Sequence, residues 1–235
     1  LTLHPVAQLL LTAAQTARPE HYAHAVAAMA LNGALMAAGG GDDAAVRLAL
    51  LCGLLHDVGE MYIGPEHGEA EADRDLDFAS YQQLVVHPHV GSLLLAQLTN
   101  YPADVARAVA EHHERLDQSG YPNALVGGQM STQGRLLAVT EATLNALRSP
   151  YSHLLHASVA LRAVPGEFDL VWVGKITQAA SAQPPQSAVM EPEDIQRRLA
   201  ALSEVLASAE SRVSALAAQA QLPALQQALE LAEFL

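Results

Sequence analysis

The chain has 235 residues, enough for one large or two small domains with a sizeable core. Only 4% of its residues are aromatic while alanine and leucine dominate, a balance that favours helices over sheet. A formal net charge of -13 excludes the basic stripe that a nucleic-acid polymer needs, and the single cysteine, Cys52, excludes an intramolecular disulfide and fits a reducing cytoplasm.

Taken in chain order, the expected elements are helices. Residues 3–15 and 19–38 form two of them, joined at "TARPE", with Pro19 in a first-turn position. The stretch from Tyr22 to Gly40 is apolar enough to raise a membrane span. His24, Asn32 and its many Ala and Gly residues identify a buried helix instead, so no membrane insertion is expected in this chain. "GGGDD" ends that helix, and Asp42 or Asp43 caps a third that runs to about Val58. The segment from Met61 to Asp73, rich in Gly, Pro and acids, reads as a loop over the end of the third helix. Helices follow at about 75–86, 88–98 and 102–115, the middle one opened by Pro88. "QSGYPNALVGG" is a loop, and Ser131 begins the helix "STQGRLLAVTEATLNAL". The β-branched content of "FDLVWVGKI" suits a short strand as well as a helix; we read it as helix.

Residues 181–194, "SAQPPQSAVMEPED", mark a composition break and read as a linker. Beyond it, Ile195, Leu199, Leu202, Leu206, Ala209, Val213 and Leu216 recur at alternating steps of four and three, a heptad seam of about three repeats. Two readings stand: a helix packed back on its own domain, or a coiled coil that dimerises or transmits a signal. The chain begins at Leu1 and not at Met, with no visible signal peptide, so residues 1–18 are expected to form a helix continuing from an upstream region. The expected fold class is all-α: a bundle over residues 19–180, the linker, and an additional helical segment over 195–235.

Two residue pairs carry chemistry. His56-Asp57 closes the apolar run "LALLCGLLHDVGE" and offers a divalent ion one neutral nitrogen and one anionic oxygen from a rigid platform. His112-His113, in "EHHERLDQSGYP", adds two imidazoles that on a helix point about 100° apart and would therefore serve two different ions. Together they argue for a multinuclear metal site.

With "HDVGE", "HPHVG", "HHERLDQSGYP" and "GRLLAVTEATLNAL" in this order, the chain resembles the HD-GYP family over roughly residues 18–180. That family is the phosphodiesterase branch of the HD phosphohydrolases and cleaves bacterial cyclic di-nucleotides. The tripeptide Gly120-Tyr121-Pro122 after a double histidine is its specific mark. The resemblance implies an HD-type helical bundle with metals between its helices. It implies His24 as the first ligand, Asp57 as a carboxylate bridging two ions, and His87, which precedes Pro88 and Gly91, as a further ligand in preference to His89. Glu20, four residues before His24, matches the extra carboxylate of members able to hold a third metal, with His21 as its rival. Tyr121 and Arg135 are candidates for substrate contact, Arg135 serving equally well as a structural arginine, and the Gly120-Tyr121-Pro122 loop is a candidate for a protein partner.

Two departures from the family pattern bear on activity. Glu141 stands where the family ends its metal set with aspartate, which keeps the anionic oxygen and adds a methylene. Glu60 stands where the family has a lysine that would sit near the scissile phosphate; a glutamate there repels a phosphodiester or competes as a metal ligand. Asp57 and Glu60 are thus the residues expected to bear most directly on catalysis. Cys52 reads as a buried core thiol, His153 and His156 as a structural pair, and His4 and His67 carry no signal.

The expected ligands are therefore His24, His56, Asp57, His87, His112, His113 and Glu141, with Glu20 in addition if a third ion binds. Mixed histidine and carboxylate donors without thiolate suit two or three divalent ions, iron or manganese best, with zinc or nickel as alternatives. The implied reaction is metal-assisted hydrolysis of a cyclic di-nucleotide, cyclic di-GMP first among them. Two alternatives remain: a catalytically weak metal-holding sensor or partner-binding module, favoured by Glu60, and a phosphohydrolase of another nucleotide. A cytoplasmic placement and a homodimer through the C-terminal seam complete the expectations.

Overall fold

The computed structural model describes residues 2–64, 78–148, 152–182 and 192–219. The expected loop beyond Gly64, His67 within it, and the expected linker from 183 to 191 lie outside the described residues. The chain divides into two compact units, Leu1–Pro184 and Pro185–Leu235.

The first unit is a helical bundle: α1 (Pro5–Ala17), α2 (Pro19–Ala38), α3 (Asp43–Leu55), α4 (Phe78–Leu84), α5 (His87–Leu98), α6 (Ala103–Glu111), α7 (Thr132–Ala146), α8 (Leu154–Ala160) and α9 (Leu170–Ala182). A 3-10 turn, Val58–Tyr62, follows α3. In the second unit, α10 spans Pro192–Gln219. Among the described residues the β-structure is a single isolated bridge between Asp117 and Val126.

Local chemistry sets the helix starts. Pro5 and Pro19 open α1 and α2, where a missing N–H costs nothing. Asp42 caps α3 by accepting from the Ala45 N–H at 2.8 Å, and Ser131 caps α7 by accepting from Gly134 N–H at 2.9 Å. The segment "FDLVWVGKI" enters α9, whose Trp172, Val173 and Ile176 fill the core; burial on one helical face, not pairing, uses its β-branched residues.

One core cluster joins Ala7 and Leu11 of α1 to Leu51 and Leu55 of α3, Leu95 of α5 and Val105 and Val109 of α6. α1 thus contributes Ala7 and Leu11 to the bundle core. A second cluster gathers Leu35 and Met36 of α2, Leu136 and Val139 of α7, and Trp172 and Ile176 of α9. Between α2, α3 and α7 lies one buried polar link, in which the Asn32 amide donates to Ala49 O and accepts from the Thr140 hydroxyl, both at 2.8 Å. Satisfied in both directions, that amide fixes the rotation of three helices that carry site residues.

Two helix ends differ from the expected ones. The third helix stops at Leu55 and α6 stops at Glu111, so His56 and His112 cap these helices instead of lying within them. That shift determines the geometry of the site.

Candidate metal centre

Helix ends leave carbonyls without intrahelical partners, and three histidines of this chain use them. His56 Nδ1 donates to Gly53 O at 2.8 Å, His87 Nδ1 to Leu84 O at 2.7 Å and His112 Nδ1 to Val109 O at 2.6 Å. Each carbonyl lies three residues earlier, in the last turn of α3, α4 or α6. Because a carbonyl can only accept, each Nδ1 carries a proton and Nε2 is the atom turned to the interior. This outer hydrogen bond is the one that metal-ligating histidines use to fix tautomer and ring orientation.

Those Nε2 atoms converge with four further donors into two groups. Asp57, His87, His112 and His113 form one, and His24, His56 and Glu141 the other, with the donor atoms of each group within 4.8 Å of one another. In the second group Glu141 Oε2 lies 2.8 Å from His24 Nε2 and 3.2 Å from His56 Nε2. Asp57 stands between the groups: Oδ2 is 3.1 Å from His56 Nε2 and 3.7 Å from His24 Nε2, while Oδ1 is 3.4 Å from both His87 Nε2 and His112 Nε2. One carboxylate thus gives one oxygen to each side.

The donor chemistry tests whether divalent ions fit. His87 Nε2 and His112 Nε2 face each other at 3.1 Å, two lone pairs that repel unless a cation is shared between them. Glu141 Oε1 is buried without a hydrogen-bond partner among the described residues. Orphaned anionic oxygen and opposed imidazole nitrogens are what a divalent ion removes, so the residues fit.

The electrostatics agree. Burial opposes ionisation of Asp57 and Glu141, but the surrounding imidazoles outweigh it and hold both carboxyls well below the usual range. Burial likewise opposes charge on His24 and His56, yet Glu141 and Asp57 outweigh it and raise both, His56 strongly. His112 moves the other way: burial, then the neighbouring His113, keep it neutral and ready to ligate. Without ions, protons on His24 and His56 partly take their place.

Glycine permits this assembly at two points. A Cβ on Gly59 would press into the His87 carbonyl and the Gly91 backbone, so only glycine lets the 3-10 turn after Asp57 lie on the start of α5. A Cβ on Gly120 would meet His113 O and Arg115 N. There the loop turns back, Tyr121 N–H donating to His113 O at 3.1 Å and the Tyr121 ring stacking on His113 with centroids 4.5 Å apart. Glu114, fully buried, anchors this loop by accepting from Asn123 and Leu125 N–H at 2.7 and 2.8 Å. The sequence reading passed over Glu114; the signal was its place directly after the double histidine, where a charged residue on a buried helix end needs backbone donors.

The structure places five of the expected residues as follows. His112 and His113 fall in one donor group, not two, because α6 ends at Glu111 and His113 leaves helical geometry. Glu20 is exposed in the first turn of α2 and belongs to neither group. Arg135 is engaged structurally, donating to Gly127 O at 2.8 Å and lying 3.6 Å from Asp169 Oδ2, so its guanidinium ties the loop before α7 to the start of α9. Glu60 is fully buried and its Oε2 lies 2.6 Å from His21 Nδ1, while its backbone carbonyl accepts from Arg18 at 2.6 Å. It is a paired interior anion, not an open one facing a phosphate. His89 is exposed, and Cys52 is a buried free thiol that burial pushes up to about 12.

The sequence profile of a family described as HD domain matches residues 10–167. A cyclic di-GMP phosphodiesterase of Pseudomonas aeruginosa is 34% identical over 172 residues, 71% of this chain and 41% of that protein. The cyclic di-GMP phosphodiesterase response regulator RpfG of Xanthomonas campestris is 33% identical over 119 residues, 49% of this chain and 31% of that protein. The chain therefore spans less than half the length of either relative. Among solved structures, Bd1817, an HDG"Y"P protein from Bdellovibrio bacteriovorus, superposes with a TM-score of 0.55 at 18% identity, covering 68% of this chain and 52% of that one. The PgpH HD domain of L. monocytogenes, solved with cyclic di-AMP, superposes with a TM-score of 0.56 at 14% identity, covering 76% of this chain and 99% of that one. At these identities the two structures bear on the fold alone.

Asp57→Ala should abolish binding of both ions, whereas His113→Ala and Glu141→Ala should each cost one; retention should also rise with pH, because His24 and His56, whose pKa values are raised, must release protons to ligate. Elemental analysis after equilibration at stepped pH checks both; Asp57→Ala protein that still holds one full equivalent would contradict the shared carboxylate. Glu60→Lys should destabilise the fold by about 3–5 kcal/mol, since it sets a buried cation against His21, read as a lower urea midpoint.

Proposed function

The chain belongs to the HD-domain family, and from that premise we propose that it is a metal-dependent phosphodiesterase acting on a cyclic di-nucleotide, cyclic di-GMP first among them. The observation that carries this reading is the Asp57 carboxylate, which turns one oxygen to each of two donor groups. A dinuclear site of this kind suits attack on a phosphodiester, and the names of the relatives at 34% and 33% identity support the substrate class.

The ligand set of imidazole and carboxylate, with the Cys52 sulfur outside it, supports iron or manganese. Such ions, when bound, supply Lewis acidity toward phosphate oxygens and acidify water near neutral pH. The chain's own residues do the rest. His56, His87 and His112 turn their Nε2 atoms to the donor groups because backbone carbonyls hold their Nδ1 protons, and His56 ligates once its second proton is released. Asp57 and Glu141 supply the negative charge that keeps the ions in place. Tyr121, stacked flat on His113, restrains that ring. A protein partner at the Gly120-Tyr121-Pro122 loop would meet the exposed Pro122, Asn123 and Ala124, since Tyr121 is turned inward. The free buried thiol of Cys52 supports a cytoplasmic placement.

One observation favours the second reading, a slow or silent domain that senses its ligand. Glu60, paired with His21, leaves the position of the family's lysine without a cation for the scissile phosphate. Loss of one such contact typically costs about 10²–10³-fold in rate.

The test is turnover of cyclic di-GMP, cyclic di-AMP and 3'3'-cGAMP by protein loaded anaerobically with manganese or ferrous iron, beside Asp57→Ala. Metal-dependent hydrolysis that prefers cyclic di-GMP, lost in the variant, is the expected result. Full metal occupancy with binding of the nucleotide and no turnover would establish the sensor reading in its place.

A further inference from the structure

We propose that α10 is a homodimerisation element, pairing with α10 of a second copy of this chain as a parallel two-stranded coiled coil. The inference rests on the second unit alone and is independent of the phosphodiesterase reading.

The helix is 28 residues long, about 42 Å at 1.5 Å per residue. Along it Ile195, Leu199, Leu202, Leu206, Ala209 and Val213 recur at steps of four and three, while Arg197, Glu204 and Ser211 occupy the opposite face. The large apolar members of the seam are open: Ile195 is 44% exposed, Leu199 58%, Leu202 54% and Leu206 55%, with Val205 beside them at 64%. A contiguous apolar stripe of this kind on a solvated helix marks an interaction surface.

Charge and register select the occupant. The chain carries -13, but α10 contributes four acids (Glu193, Asp194, Glu204, Glu210) against three bases (Arg197, Arg198, Arg212), a net of -1. The net charge of the chain opposes the approach of two copies at long range, and along α10 the charge is nearly cancelled. A four-three seam is also complementary to itself, since the side chain at each seam position packs into the gap between the same positions of its twin. In the parallel, in-register pairing each residue flanking the seam meets the one five places on in the partner. Arg198 then opposes Ser203, and Val205 opposes Glu210, so no like charges are brought together.

Full-length protein should elute in size-exclusion chromatography with light scattering at about twice 24.8 kDa. Leu199→Asp with Leu206→Asp should halve that mass, while Glu204→Lys on the far face should leave it unchanged. Because the double substitution could unwind α10, a second measurement stands apart from it. Under mild oxidation Ala209→Cys, on the seam, should crosslink to a covalent dimer and Ser211→Cys, on the far face, should not. A monomeric wild type, a dimer that survives the double substitution, or equal crosslinking at both positions would overturn the proposal. A monomer would assign the stripe to another occupant, either the chain's own first unit or a different protein.

Discussion

The structure depends on one shared carboxylate. Asp57 lies at the junction of two donor groups, with one oxygen on each side, and every element around it is positioned to keep it there. The third helix ends one residue before His56, so that Asp57 leaves helical geometry and enters a 3-10 turn. Gly59 lets that turn lie against the start of α5, which brings His87 within 3.4 Å of Asp57. The core cluster of α1, α3, α5 and α6 presses these helix ends together, and the Asn32 amide fixes α2 and α7, which supply His24 and Glu141. Hydrophobic packing brings the donors into the interior, and the donors in turn require positive charge to remain there.

That requirement explains the electrostatic asymmetry. A chain of net charge -13 buries Asp57, Glu60, Glu111, Glu114 and Glu141. Three of these are engaged away from the two donor groups: Glu60 lies against His21, Glu111 accepts from Arg107 and from the Ser131 hydroxyl and N–H, and Glu114 accepts from two backbone N–H groups. Asp57 and Glu141 instead face imidazoles, two of which are drawn into protonation. Buried anions satisfied by protons on weak bases are the state that divalent ions displace. The site is therefore pre-organised toward cations, and the bonds that organise it run through backbone carbonyls at helix ends.

Much of this was legible from the residues. The all-helical class followed from composition, the helix starts from Pro19, Asp42 and Ser131, and the seven donors from a family resemblance resting on four motifs. What the sequence could not convey was where helices stop. Expecting α6 to run through His113 assigned its two histidines to different ions, whereas termination at Glu111 puts both in one group. The end of the third helix also places Glu60: in the 3-10 turn after Asp57 its carboxylate lies 2.6 Å from His21. Periodicity reports which residues share a face and is silent about the turn at which that face ends. Long-range pairs such as Glu60 with His21 or Asn32 with Thr140 depend on packing between helices and leave no local trace.

Asp57 is poised to hold two ions at once. Diffraction at the manganese absorption edge from crystals grown with that metal tests it most directly. The account predicts two anomalous peaks, one beside His24, His56 and Glu141 and one beside His87, His112 and His113, with Asp57 contributing an oxygen to each. A single peak, or two peaks of which only one contacts Asp57, would contradict it.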